Sequence, residues 1–293
     1  MTDGGVSRLK PPDKGQEDHW DALTPGFGLR VSHGGTKTWL VQLRVLKNGA
    51  WKQTRITLGR YPSMTLGEAR EAARRTHCAN NLKQLGLSIF SFESTYKHLP
   101  AGSNYIEGPY SQPPVLRHRE YSMFSLILPF IEESSFFGRF DLTDRIYASE
   151  DVLRHSLPIF TCPSDNAKGR TWDRRFARSN YVACVGSTTH APTLRPNRHF
   201  GGGGPHDGNY DANDLETDGV FRIQGGQLGR ETRVIRDGMS NTVMVSEILA
   251  GQDDTFGVIP GVGKENALRG LWMHMWMGMS CYTHFLTPNS SAG

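Results

Sequence analysis

The sequence predicts an α+β protein in which a small three-stranded antiparallel sheet plus helix is joined, through one long helix, to a larger loop-rich α+β domain. Three observations lead to this class. Alternating apolar and polar residues form three strand-like runs before residue 61, and an uninterrupted helical pattern follows over residues 65–98. Beyond it, short apolar segments are separated by Pro and Gly. We place the two domains at residues 1–75 and 76–293.

The three predicted strands are bounded by turn-forming residues. Pro25-Gly26 precedes the first strand, His33-Gly34-Gly35 follows it, and Asn48-Gly49 separates the second from the third. Asn-Gly between two alternating runs is a strong hairpin signal. Because successive side chains of a strand point to opposite faces, one face is apolar and can pack under a helix, while the other carries Arg and Gln.

The long helix is predicted from its start signal and its periodicity. Thr65 and Glu68 have the spacing of a capping box, and Leu99-Pro100 ends the pattern. One apolar stripe repeats by threes and fours. Its members are Cys78, Leu82, Leu85, Ile89, Phe92 and Tyr96.

Basic residues are concentrated near the start of a chain whose net charge is only +4. Residues 1–75 contain thirteen Lys and Arg against seven Asp and Glu, whereas the remainder contains 20 against 22. Such asymmetry is typical of a nucleic-acid-binding module attached to another unit; the alternative is a basic solvated surface. A sheet presenting Arg and Gln can enter the major groove of double-stranded DNA, while lysines hold phosphates. The predicted DNA-binding residues are Arg30, Lys37, Gln42, Arg44, Lys47, Lys52, Arg55 and Arg60.

Several motifs in this basic region, at residues 10–12, 18–21, 25–31, 58–62 and 66–70, resemble the arm-type DNA-binding domain of phage and genomic-island tyrosine integrases. The resemblance covers about residues 7–75 and implies binding to arm sites during DNA integration and recombination. The catalytic Arg, His and Tyr of those recombinases have no counterpart here. We therefore expect DNA binding without cleavage.

The rest of the chain is similar to a prepilin-like family of unknown function, DUF1559, which is related to pseudopilins of type II secretion. The similarity rests on residues 71–86, 128–132, 160–165, 180–182, 237–242 and 287–291. Members of that family are exported or anchored in the membrane and carry a pilin-type leader helix. In this chain the arm domain stands in place of the anchoring half of that helix, and the closing segment of the family is missing. The sequence is therefore interpreted as a fusion, truncated at its C-terminal end.

Two further candidate sites are a calcium-binding loop and a disulfide. Asp207, Asn209, Asp211 and Asp218 occupy positions of a calcium loop, but Ala212 stands where Gly is expected and no helices flank the segment. We therefore predict no metal and no cofactor, with calcium as the alternative. Cys78 and Cys162 can form a disulfide if the protein is exported, and are free buried thiols in a reducing cytoplasm.

These observations lead to one functional hypothesis and one alternative. The hypothesis is a non-enzymatic fusion whose predictable activity is binding of double-stranded DNA by the first domain. The alternative is a structural or interaction protein of the pseudopilin-like class with no DNA role and an unidentified partner. The sequence shows neither an export signal nor a membrane-spanning run, so we expect the chain as written to be cytoplasmic.

Overall fold

The computed structural model describes residues 1–47, 50–104, 121–131, 134–139, 150–165, 171–172, 176–186, 219–221, 223–224, 228–250, 270–273 and 281–282. The chain divides into two compact units, which are described separately. The first contains residues 1–84 together with 162–166, and the second contains residues 85–161 and 167–293. The model is mixed α and β, with an antiparallel N-terminal sheet, a long helix and a loop-rich C-terminal region.

The first unit is built on one antiparallel sheet whose strands follow chain order. A short helix, α1 (Asp3–Arg8), comes first. The strands are β1 (Gln16–Trp20), β2 (Phe27–Ser32), β3 (Lys37–Lys47) and β4 (Ala50–Tyr61). The two long strands, β3 and β4, pair along their whole length, from Lys37 opposite Tyr61 to Lys47 opposite Ala50.

The sheet has four strands where the sequence predicts three. The additional strand is β1, an edge strand that pairs only with β2, from Gln16 opposite Ser32 to Trp20 opposite Gly28. Its sequence, QEDHW, has no apolar alternation, so the periodicity from which strands are predicted is absent. Helix α1 was also not predicted, although its Val6 is buried in the core of this unit.

The turn predicted at Pro25-Gly26 is confirmed and has a steric reason. Gly26 has a φ of +68°, and a Cβ at this position would lie 2.5 Å from the backbone oxygen of Gln42. The amide of Gln42 in turn donates to the oxygen of Gly26 at 2.7 Å. A side chain at residue 26 is therefore excluded by both conformation and space.

One irregularity interrupts the pairing of β3 with β4. Trp39 lies opposite Gly59 and Leu40 lies opposite Thr57, so Leu58 is an extra residue on β4. This is a β-bulge. Thr54 and Ile56 therefore share a face with Leu43 and Val41 below the bulge, whereas Gly59 and Tyr61 share that face above it.

The core of the first unit lies between the sheet and the start of the long helix, α2 (Leu66–Tyr96). Trp39 is fully buried, stacks on Phe27 with ring centroids 5.4 Å apart, and donates from Nε1 to the Met64 oxygen at 2.9 Å. The helix contributes Leu66, Ala69 and Ala73, three to four residues apart on one face. The predicted apolar face of the sheet is therefore the face that packs against the helix, although Ile56 on that face is 37% exposed.

Helix α2 begins as predicted. The Glu68 carboxylate accepts from the Thr65 backbone amide at 2.8 Å, and the Glu68 amide donates to the Thr65 hydroxyl at 3.3 Å, which is a capping box. With 31 residues the helix is about 46 Å long. Along the predicted stripe Cys78, Leu85, Ile89 and Phe92 are buried, whereas Tyr96 is 49% exposed. The helix is followed by Lys97 with a φ of 62°.

The described part of the second unit contains short elements. Its sheets are the three-stranded orders β10-β5-β6 and β11-β9-β12 and the pair β7-β8. The strands are β5 (Ser103–Asn104), β6 (Tyr121–Ser122), β7 (Thr171–Trp172), β8 (Phe176–Ala177), β9 (Tyr181–Cys184), β10 (Ile223–Gln224), β11 (Val245–Glu247) and β12 (Cys281–Tyr282). The helices are α3 (Met123–Leu126), α4 (Ser134–Phe137) and α5 (Glu150–Leu153), and 3₁₀ turns lie at Leu128–Phe130, Pro158–Phe160, Thr232–Val234 and Met239–Asn241.

Aromatic side chains form much of the described core of the second unit. Phe160 lies 4.9 Å from Trp272 and 5.3 Å from Phe124 between ring centroids, and all three are fully buried. Phe92 of α2 contacts Phe130 at 5.8 Å, so the apolar stripe of the helix enters this core as well. Among the helices that the structure describes, none combines the length and apolar character needed to cross a bilayer.

Candidate nucleic-acid interface

The face of the N-terminal sheet that points away from α2 carries most of the predicted DNA-binding side chains. The strand register places Arg30 beside Asp18 and Thr38, Gln42 beside Arg55, and Arg44 beside Gln53 on this side. We call it the open face. It consists of Gln16, Asp18, Trp20, Gly28, Arg30, Ser32, Thr38, Leu40, Gln42, Arg44, Trp51, Gln53, Arg55, Thr57 and Arg60.

Asp18 lies at the centre of the hydrogen bonding on the open face. Arg30 donates to both of its carboxylate oxygens, from Nε to Oδ1 at 2.7 Å and from Nη2 to Oδ2 at 3.0 Å. Arg55 Nη1 lies 3.2 Å from Oδ2. The hydrogen bonds from Arg30 outweigh the effect of burial, and together with the charges of both arginines they hold the pKa of Asp18 below its ordinary value. Asp18 is therefore ionised at neutral pH.

Arg55 crosses the sheet from β4 and also contacts Trp20 of β1. Its guanidinium carbon lies 5.9 Å from the Trp20 ring centroid, within the range of a cation–π contact. The ring of Trp20 lies over Gly28, where a Cβ would be only 2.8 Å from Trp20 Cε3. Leu40, the strand partner of Gly28, is buried although it belongs to the open face. The apolar residue predicted on this side is therefore shielded from solvent.

A second set of hydrogen bonds connects Arg55 to the amide side chains. Arg55 Nε donates to Gln42 Oε1 at 3.2 Å, and Gln42 Nε2 donates to Gln53 Oε1 at 3.1 Å. The chain from Arg30 through Asp18, Arg55 and Gln42 to Gln53 thus includes a residue from each of the four strands. Side chains held in this way have fewer conformations to lose on binding a ligand.

The predicted lysines have different positions from the arginines. Lys37 lies opposite Val31 and Tyr61 on the α2 side, and its ammonium donates to the oxygens of Val6 and Ser7 at 2.8 and 2.9 Å. Lys52 lies opposite Val45, again on that side, and is exposed. The side chain of Lys47 lies outside the described residues. The structure therefore brings together Arg30, Gln42, Arg44, Arg55 and Arg60, and places Lys37 and Lys52 on the other side.

Behind the sheet, Asp21 connects the β1–β2 turn to α2. Its buried carboxylate accepts from Arg70 Nη2 at 2.8 Å and Nε at 3.0 Å, and from the ammonium of Met1 at 2.7 Å. Burial by itself raises the pKa of Asp21, but the hydrogen bonds from Arg70 and the ammonium outweigh it and lower the pKa to about 2. This ion pair holds the strand that carries Trp20 close to the helix.

The far end of β3 is also attached to α2. The oxygen of Arg44 accepts from Asn80 Nδ2 at 3.0 Å and from Gln84 Nε2 at 2.8 Å. Two residues before Asn80, Cys78 forms a disulfide with Cys162, with a Cα–Cα distance of 5.2 Å. From the sequence, Cys78 and Cys162 were expected to form either this disulfide or two free buried thiols. The structure contains the disulfide. Asp207, Asn209, Asp211 and Asp218 lie outside the described residues.

Sequence reasoning did not identify Asp18, Trp20 or Gln53 as parts of the site. Asp18 and Trp20 were missed because β1 was not predicted as a strand. Gln53 alternates with Arg55 on β4 and could have been found from that spacing. No signal in the sequence alone pairs Asp18 with Arg30, since the pairing depends on the β1–β2 register.

Comparisons with known proteins give two matches that overlap within α2. Residues 1–80 match the family model described as Arm DNA-binding domain. Residues 67–284 match the family model described as Protein of unknown function (DUF1559). No curated protein matches the chain.

Proposed function

The chain belongs to the DUF1559 family of proteins of unknown function, and we propose that its activity lies in the arm DNA-binding region at residues 1–80, which binds double-stranded DNA through the open face. The observation that carries the proposal is the chemistry of that face. Arginine and glutamine side chains from adjacent strands stand together on the side of the sheet that the helix does not cover.

The dimensions of β3 and β4 suit the major groove. The two strands contain 11 and 12 residues, so the antiparallel ribbon is about 35–40 Å long. The major groove of B-DNA accommodates such a two-stranded ribbon. Within it, guanidinium groups can donate to guanine, and amide groups can donate to and accept from adenine. Arg44, Arg55 and Arg60, all exposed on the open face, supply charge along the ribbon.

Salt-dependent binding of a short mixed-sequence duplex tests the proposal. We expect the affinity, measured by fluorescence anisotropy, to fall steeply with salt, because each phosphate contact releases counterions. The variant Arg30→Ala/Arg44→Ala/Arg55→Ala should bind at least about tenfold more weakly, and its log–log salt slope should be shallower by at least about 1.

The matched control removes three positive charges from the helix instead of the sheet. Arg74, Arg75 and Lys83 lie on α2, and the variant Arg74→Ala/Arg75→Ala/Lys83→Ala has the same net charge as the sheet variant. We expect it to keep most of the affinity of the wild-type protein. Equal weakening by both variants would show that only net charge matters and would contradict the assignment to the open face.

We also propose that binding is not followed by a chemical step on the DNA. The proposal rests on the sequence, in which the catalytic Arg, His and Tyr pattern of the integrases that the first domain resembles is missing. Incubation with supercoiled plasmid should leave its topology unchanged under conditions of saturating binding. Relaxed or cleaved plasmid, lost on mutation of a single residue, would contradict it.

A structural or interaction role of the pseudopilin-like class is the alternative, and the observation that favours it is coverage. The DUF1559 match extends over residues 67–284, most of the chain. Expression with a secretion leader followed by limited proteolysis tests whether this region forms a folded body. A protease-resistant fragment beyond Cys78, in a protein that fails to bind DNA, would favour the alternative. Its absence would count against the pseudopilin-like role.

A further inference from the structure

An acidic side chain occupies the middle of a surface that is otherwise basic and polar. Within the four described strands, Asp18 is the only acidic residue on the open face, since Glu17 lies on the opposite side, across from Val31. A carboxylate near DNA is repelled by the phosphates and lowers affinity for any sequence. The position of Asp18 is therefore unfavourable for general DNA binding and needs another explanation.

The geometry of its contact with Arg30 supplies that explanation. Asp18 engages Nε and Nη2, which lie on one edge of the guanidinium group. Of the five N–H donors, Nε–H and one hydrogen of Nη2 are used, and the remaining three lie on Nη1 and the outer side of Nη2. Two of them, one on Nη1 and one on Nη2, point along the outer edge of the group and can contact O6 and N7 of guanine as a bidentate pair. Asp18 thus fixes the plane of Arg30 and leaves its base-reading edge available.

Arg55 is held by the same carboxylate from another direction. Its Nη1 faces Asp18 Oδ2, its Nε donates to Gln42, and its guanidinium group lies over the Trp20 ring. An exposed arginine ordinarily has many rotamers, and ordering it costs free energy when it binds. Both arginines are ordered before any ligand arrives.

Building on the proposed function, we propose that Asp18 is a positioning residue for sequence discrimination: it weakens contact with phosphates in general and presents Arg30 and Arg55 to the edges of bases, above all guanine, in the major groove. Removing its charge should free both arginines to follow the phosphate backbone. Affinity for DNA of any sequence then rises while the preference for one sequence falls.

The experiment compares Asp18→Asn with the wild-type protein on two duplexes. One is a mixed-sequence duplex, and the other is the duplex enriched from a randomised pool by the wild-type protein. We expect Asp18→Asn to bind the mixed duplex several-fold more tightly, with a salt slope steeper by about 1. The ratio of affinities for the enriched and mixed duplexes should fall about tenfold, since one bidentate base contact provides discrimination of that order.

Two further variants keep the result interpretable. Glu17→Gln removes the same charge from the neighbouring residue, whose side chain is 58% exposed on the other face, and should leave the affinity ratio unchanged. Arg30→Lys keeps the positive charge but cannot form the bidentate pair. It should therefore lose discrimination with little change in salt slope, and unchanged discrimination in this variant overturns the inference even if Asp18→Asn does not fold.

The outcomes separate this inference from the function on which it rests. No salt-dependent binding by the wild-type protein would overturn both. Binding without enrichment of any sequence, or an unchanged affinity ratio in either Asp18→Asn or Arg30→Lys, would overturn only the role of Asp18. An equal loss of discrimination in Glu17→Gln would also overturn it, because the effect would then come from net charge.

Discussion

The cores of the two units of this chain are built in different ways. In the first, strands of up to 12 residues pair in a single sheet and alternate between a buried face and the open face. In the described part of the second, strands have two to four residues, and buried aromatic rings from separate segments contact one another. A regular sheet leaves one whole face available for a ligand, whereas segments held through scattered aromatic contacts use their side chains for packing.

The strongest test of this comparison is the loss of one core tryptophan from each unit. Trp39→Ala removes a fully buried ring that stacks on Phe27, and Trp272→Ala removes one that contacts Phe160. Each should destabilise its own unit by about 3–5 kcal/mol. Chemical denaturation, followed by hydrogen exchange resolved along the chain, measures the two units separately.

Leu23→Ala is the control for this pair of variants. Leu23 is 74% exposed, so its truncation should change stability by less than about 0.5 kcal/mol. If Trp39→Ala instead lowered protection equally throughout the chain, the two units would form one cooperative body, and the comparison would no longer hold.

The next largest effect concerns the buried ion pair of the first unit. Arg70→Met leaves the Asp21 carboxylate buried without its bidentate partner, and we expect a loss of about 3 kcal/mol. Adding Asp21→Asn to Arg70→Met should restore part of the stability, because it removes a buried charge whose remaining charged partner among the described residues is the Met1 ammonium. A double variant no more stable than Arg70→Met would show that the charge is not the cause.

Acid should weaken the first unit through the same carboxylate. The pKa of Asp21 is about 2 in the folded protein and about 3.9 in an unfolded chain. The stabilisation is therefore complete above about pH 5 and is lost as the pH falls through 2, with a total of about 2–3 kcal/mol. Asp18, whose pKa is also lowered, contributes in the same direction. Urea unfolding at several pH values should show a smaller acid dependence in Asp21→Asn than in the wild-type protein.

A feature could be predicted from the sequence where the residues that determine it are neighbours along the chain, and could not where it depends on contacts between distant residues. Strands β2 to β4 and helix α2 were predicted because alternation, the four-residue stripe and the capping box are contained in neighbouring residues. Strand β1 was not, because QEDHW has no alternation and gains its structure from pairing with β2. For the same reason Asp18 was missed. DNA binding by Lys37 stays a prediction, and its contacts with the oxygens of Val6 and Ser7 could not be read from the sequence because they join distant residues. In the second unit the apolar segments were located, but their conformations depend on long-range contacts.

The disulfide provides a further test. Cys78 and Cys162 are 84 residues apart in sequence, and their bond attaches residues 162–166 to the first unit. Cys78→Ala/Cys162→Ala should lower the stability of that unit by about 2–4 kcal/mol, because the bond closes a long loop and so restricts the unfolded chain. Thermal unfolding with and without a thiol reductant measures it. The reductant should lower the melting temperature of the wild-type protein and leave that of the double variant unchanged; equal shifts would point to another cause.

The smallest expected effect is the difference in stability cost between a substitution at the start of α2 and one near its end. Thr65→Ala removes the capping hydroxyl and should cost about 1 kcal/mol. Near the other end of the helix, the Thr95 hydroxyl donates to the Ser91 backbone oxygen and, among the described residues, caps no free amide. Thr95→Ala should therefore cost less than about 0.5 kcal/mol. Amide exchange in the first turn of the helix would reveal the difference. Equal effects would indicate that Thr65 does not cap the helix in solution.

The bulge at Leu58 has a consequence for how this hairpin tolerates evolutionary change in length. Because Leu58 is the extra residue on β4, deleting it would leave a regular ladder in which the other residues keep their present faces. A deletion elsewhere between Trp51 and Leu58 would turn the residues between the deleted position and Leu58 to the other face, so that loss of Gln53 would turn Arg55 inwards. Among natural variants of this hairpin, we therefore expect one-residue deletions in β4 to occur at the bulge and to be rare elsewhere in the strand.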